Sequence, residues 1–89
     1  MSAYTGLWSW RLTVLRSGLR PEVRHVLLTV SCRMRDMIPD FLVTPLRALA
    51  NDTGLRADEV RVCLREAVAE GWIEVTEVEP GYIQITRRT

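Results

Sequence analysis

The segment from Thr44 to Val75, TPLRALANDTGLRADEVRVCLREAVAEGWIEV, constrains the fold more than any other part of the chain. Thr44-Pro45 reads as a helix start, a capping hydroxyl followed by proline in the first turn, where its missing amide is not needed. Leu46, Leu49 and Ala50 fall on one face of that helix. Asn51-Asp52-Thr53-Gly54 predicts a break, because Gly54 can adopt a left-handed conformation at little steric cost. Leu55 returns to the core. From Ala57 to Glu70, the residues Val60, Cys63, Leu64, Ala67 and Val68 recur at helical spacing, and Gly71 predicts the stop. Trp72-Ile73-Glu74-Val75 then begins a hairpin. Pro80-Gly81 suits the central positions of a type II turn, and Tyr82 to Thr86 forms the return strand. Clean alternation directs Ile73, Val75, Ile83 and Ile85 inward.

Upstream, Pro21-Glu22 opens another helix, with proline in the first turn and a carboxylate at the positive end of the helix dipole. Val23, Val26, Leu27, Val30, Met34 and Met37 make its apolar stripe, and Pro39-Asp40 ends the segment. Phe41-Leu42-Val43 reads as a short extended strand. The arm before Pro21 is dense in large apolar residues. As a helix it places Trp8, Leu12 and Leu15 on one face and Leu7, Trp10 and Val14 on a neighbouring face. Ser17-Gly18 supplies a stop. The run from Trp8 to Val14 also alternates as a strand would, and a short helix is the reading adopted.

At 89 residues, 47% of them hydrophobic, the chain is long enough to bury one core, which predicts a single domain over residues 1–89. Its expected parts are an N-terminal arm (1–20), a helical core (21–71) and a hairpin (72–88). The fold class expected is α+β, mainly α with a small antiparallel β-hairpin. No uncharged run approaches the ~20 residues of a membrane span, and no secretory signal is visible, so a cytoplasmic protein without membrane contact is expected. Cys32 and Cys63 are expected to be reduced and buried. With His25 they lack a fourth ligand and a metal-site spacing, so neither a metal nor a cofactor is expected. No nucleophile has a base at a recognisable spacing, and no glycine loop is built to cradle phosphate. An enzyme is not expected.

The run from Pro21 to Val75 resembles the winged helix-turn-helix DNA-binding domains of phage and plasmid replication initiators and related small regulators. The helix Val23–Val30, the Thr44-Pro45 start and the pair Leu49-Ala50 carry the resemblance. So do Thr53-Gly54-Leu55, Leu64 and the run Ala69-Glu70-Gly71-Trp72-Ile73. The resemblance implies a recognition helix from Ala57, a hairpin wing touching flanking backbone, and double-stranded DNA as the partner in a regulatory or replication role. Related sequences commonly place serine or threonine where Arg56 stands, so this chain lacks their helix cap.

If the helix from Ala57 lies in a major groove, its outward positions Arg56, Asp58, Arg61, Val62 and Arg65 are the ones able to touch DNA. Arg61 and Arg65 stand one turn apart, and an arginine fork matches the two acceptors of guanine. Val62 suits a thymine methyl. Arg56, Arg47, Arg87 and Arg88 are phosphate candidates. The alternative is that these arginines are solvated and locally paired.

Charge weighs against tight binding. The net charge is +1, with six arginines against three acids over residues 1–40, four against five over 41–70 and two against three over 71–89. DNA affinity draws chiefly on neutralised phosphates, yet Asp58-Glu59 occupy the first turn of the helix and Glu74, Glu77 and Glu79 the wing. That conflict motivates a second expectation, a protein partner or a second copy bound through the acidic wing or through Trp8 and Trp10 of the arm. The plainer expectation for both tryptophans is the core.

Overall fold

The computed structural model describes residues 6–34 and 41–88, with side chains from Trp8 onward. Among them are four helices and three strands: α1 (Gly6–Leu15), α2 (Pro21–Arg33), β1 (Phe41–Pro45), α3 (Leu46–Thr53), α4 (Ala57–Ala69), β2 (Ile73–Glu79) and β3 (Tyr82–Arg87). The strands form one antiparallel sheet in the order β1-β3-β2. The class is therefore mixed α and β, and the expected hairpin is two thirds of a larger sheet. Its third strand is the short extended segment before α3.

The amphipathic stripes assemble one core. Val23, Val26, Leu27 and Val30 of α2 are buried against Leu46 and Leu49 of α3, the α4 face Val60, Cys63, Leu64 and Ala67, and Ile73, Ile83 and Ile85 of the sheet. Full burial of a side chain such as Leu27 or Ile85 stabilises the fold by about 1.5–3 kcal/mol. Val75 is half-buried, and Val68 is exposed, contrary to its expected place on the inner face. Met34 ends the described part of the α2 stripe; Met37 and Pro39-Asp40 lie outside the described residues.

The arm is helical, and its two apolar faces separate. Trp10 and Val14 are buried, with Trp10 meeting Trp72 edge to face at 6.4 Å between ring centroids. Trp8 is 69% exposed and Leu15 52% exposed. Arg11 ties this helix to α2: its Nε donates to the buried Ser31 Oγ at 2.8 Å, and its Nη2 to the Ser31 carbonyl at 2.9 Å. A cation at the carbonyl end of α2 is also favoured by the helix dipole.

The start of α3 differs from the sequence expectation. Thr44 and Pro45 are the last residues of β1, paired with Ile83 and Tyr82, and the helix begins at Leu46. Thr44 is buried, and its hydroxyl donates to the Pro45 carbonyl instead of capping the helix. The first free amide of α3, Leu46 N–H, donates to the Gly81 carbonyl at 2.9 Å. An orphan donor at a helix start needs some acceptor, and here the turn of the hairpin supplies it from across the sheet.

Candidate functional site

The joints at both ends of α4 set its position. The break expected over Asn51-Asp52-Thr53-Gly54 falls at its end: α3 runs on to Thr53, whose hydroxyl donates to the Leu49 carbonyl and accepts from Leu55 N–H. Gly54 then turns the chain at φ 78°, where a side chain would be strained. Arg56 precedes the helix without offering a cap, and Glu59 compensates by accepting the Arg56 N–H at 3.0 Å. This is the return half of a capping box. At the far end, Gly71 has φ 82°, Gly71 N–H donates to the Val68 carbonyl and Trp72 N–H to the Ala67 carbonyl. Those two bonds make a Schellman closure. It delivers Trp72 into its contact with Trp10 and starts β2.

With Val60, Cys63, Leu64 and Ala67 inside, Arg56, Asp58, Arg61, Val62 and Arg65 all stand exposed. Their surroundings differ. Arg56 lies 3.4 Å from Asp58 and 3.8 Å from Glu59, and Asp58 Oδ1 also accepts the Glu59 N–H. The start of α4 is thus occupied by its own carboxylates. Arg61 and Arg65 have no ion pair or hydrogen-bond partner for their guanidinium groups among the described residues. Arg47, exposed in the first turn of α3, is equally without a partner there. Arg88 pairs with Glu74 at 2.9 Å, and Arg87 has a partner of its own. Glu77 and Glu79 are exposed on β2 without an ion pair among the described residues.

Arg61 and Arg65 also border a cleft of about 300 Å³ between α4 and the sheet. Its apolar lining comes from four elements: Leu46 of α3, Leu64 and Val68 of α4, Val75 of β2 and Ile83 of β3. Sequence reasoning missed this assembly. The exposed Val68 in a helix otherwise well patterned is its one local sign, and it becomes informative only once the sheet is placed. Val62 lies on the other flank, in a groove with Leu55, Glu59 and Cys63.

Other titratable groups serve the frame. Arg20 lies 3.0 Å from Glu66 and 3.6 Å from Glu22, and the bond to Glu66 raises its pKa further. Burial pushes the Cys63 thiol up. Cys32 is exposed, contrary to expectation, because it falls outside the α2 stripe. His25 Nε2 donates to the Thr53 carbonyl at 2.9 Å, joining α2 to the end of α3. Among the described residues, no three His, Cys, Asp or Glu side chains gather as a metal-binding group, and no helix is long and apolar enough to cross a membrane. Comparison with protein-family models, curated proteins and solved structures finds no match for this chain.

Proposed function

We propose that this chain is a winged helix-turn-helix protein that binds double-stranded DNA without catalysis, as a regulator or a replication or recombination accessory. In this reading α3 and α4 form the helix-turn-helix, α4 is the recognition helix and the β2–β3 hairpin is the wing. The observation that carries it is the pair Arg61 and Arg65, exposed one turn apart on α4 with no carboxylate in ion-pairing reach among the described residues. Unpaired guanidinium forks are free to meet guanine edges or phosphates. Arg47 is the best-placed phosphate contact in chemical terms, since it too has no partner among the described residues. Arg56 and Arg88 must exchange a carboxylate for a phosphate, and Arg87 must leave its partner. Exposed pairs of this kind are weak enough to exchange.

The test is a mobility-shift titration against random duplex pools at low salt. Retardation is expected, with log affinity falling by about 0.9 per tenfold rise in salt for each phosphate contact. The Arg61→Ala/Arg65→Ala double variant is expected to lose at least tenfold in affinity. Equal binding by that variant, or no retardation at high protein concentration, would falsify the assignment.

A second reading is a protein-interaction module, such as a phage-type modulator of a host protein. The specific support is the exposed Trp8–Leu15 face of α1 together with Glu77 and Glu79, which have no ion pair among the described residues. Binding of one purified protein partner that is lost in Trp8→Ala or on charge reversal at Glu77 and Glu79, yet kept in Arg61→Ala, is its distinguishing outcome.

A further inference from the structure

We infer that the cleft between α4 and the sheet binds a small amphipathic anion, a carboxylate carried on a medium-length aliphatic chain. Three observations converge on this ligand class. The cleft, about 300 Å³, lies at the lower end of the range of small-molecule pockets, which suits a slender chain better than a ring system. Leu46, Leu64 and Ile83 are buried core residues that also line it, so an apolar surface lies ready-made against the core. Val68 and Val75 widen that surface, and Val68 is 41% exposed, a large apolar group with no cover.

The head group follows from the border. Arg61 and Arg65 both line the cleft, and among the described residues neither has a carboxylate partner and no acidic side chain lines the cleft with them. A planar guanidinium presents donors in the geometry of a carboxylate. The charge over residues 41–70, four arginines against five acids, favours a singly charged head over a dianionic phosphate. Three other grooves among the described residues lack this combination. In the groove beside the α1–α2 connection, for example, Arg20 is already neutralised by Glu66.

Such a ligand engages the two guanidinium groups that the DNA reading also uses. Competition with DNA rests on that reading; the site itself does not, and the test contains no DNA.

The experiment is a methyl NMR titration of the full chain with octanoate, kept below its micelle-forming concentration. Saturable shifts are expected at the methyls of Leu46, Leu64, Val68, Val75 and Ile83 and absent at Leu15. Hexanoate, two methylenes shorter, should bind about fifteenfold more weakly, at about fourfold per methylene. Octanol should bind at least tenfold more weakly than octanoate, and octylamine should leave these methyls unmoved. The Arg61→Gln/Arg65→Gln variant, shown to be folded by its amide spectrum, should lose at least tenfold in octanoate affinity. Octanol binding as tightly as octanoate overturns the inference. So do undiminished octanoate binding by the double variant, shifts spread over the exposed face of α1, and the absence of saturable shifts.

Discussion

On the α1–α2 side of the molecule, Arg11 grips both oxygens of Ser31 and Arg33 reaches Asp52 on α3. On the outer face of α4, Arg61 and Arg65 reach no partner among the described residues. The same side chain serves as a strut in one region and is left available in the other. The difference lies in what faces it. Arg11 meets the carbonyl end of a helix and a buried hydroxyl, groups that need a donor. The α4 arginines border an apolar cleft that offers no acceptor side chain among the described residues. In the first region arginine contributes to stability; in the second it makes no such contribution through the described residues.

The arm itself gives the largest expected break in this comparison. Trp10→Ala removes a buried indole from its contact with Trp72 and should cost about 3–5 kcal/mol. Trp8→Ala, two residues away and exposed, should change stability by no more than about 0.5 kcal/mol. Urea denaturation of both variants checks the pair, and equal losses would mean that the two faces of α1 are not distinct.

Next in size is the strut. Arg11→Met keeps much of the stem and removes two charge-assisted hydrogen bonds to Ser31, a loss of about 1.5–3 kcal/mol. Arg61→Gln and Arg65→Gln should stay within about 0.5 kcal/mol of the parent chain. A thermal or denaturant midpoint that falls as far for Arg61→Gln as for Arg11→Met would erase the contrast.

The joint between α4 and the sheet is tested by Gly71→Ala. Its φ of 82° puts the alanine in the left-handed region, at about 1–2 kcal/mol. A denaturant midpoint unchanged by this substitution would show that the closure after Ala69 carries no conformational demand.

The smallest effect is a pH slope from Cys63. Burial raises its pKa in the folded chain, so the folded state holds the proton more tightly than the unfolded one. The resulting stability is fully present below the ordinary thiol range and is lost as pH rises through the raised folded value. Denaturant midpoints should therefore decline on the alkaline side in the parent chain and decline less in Cys63→Ala. Cys32, exposed, should react with a maleimide well before Cys63 does.

Much of α4 was legible in the residues. The spacing of Val60, Cys63, Leu64 and Ala67 and the stop at Gly71 describe its inner face and its end, because helical periodicity and a left-handed glycine are local properties. The partners of Arg56, Asp58 and Glu59, follow it within one turn, yet the sequence expectation makes Arg56 a phosphate contact. The longer-range pairings were not legible. Arg11 and Ser31, Arg33 and Asp52, Arg20 and Glu66, Arg88 and Glu74 are 14 to 46 positions apart, and only the packing of helices and strands brings them together. Thr44-Pro45 misled for the same reason. Its local chemistry is that of a cap, but β3 offered it a strand partner and the hairpin turn offered the helix another acceptor.

By itself the chain determined the approximate extent of the helices after Pro21 and of the hairpin and, Val68 apart, the apolar face of α4, since propensity, periodicity and turn chemistry act over a few residues. Tertiary structure alone decided which distant carboxylates neutralise Arg20, Arg33 and Arg88, that β1 completes the sheet, and that Leu46, Val68, Val75 and Ile83 enclose a cleft beside Arg61 and Arg65. These are meetings between distant parts of the chain, and their outcome depends on packing the whole core at once.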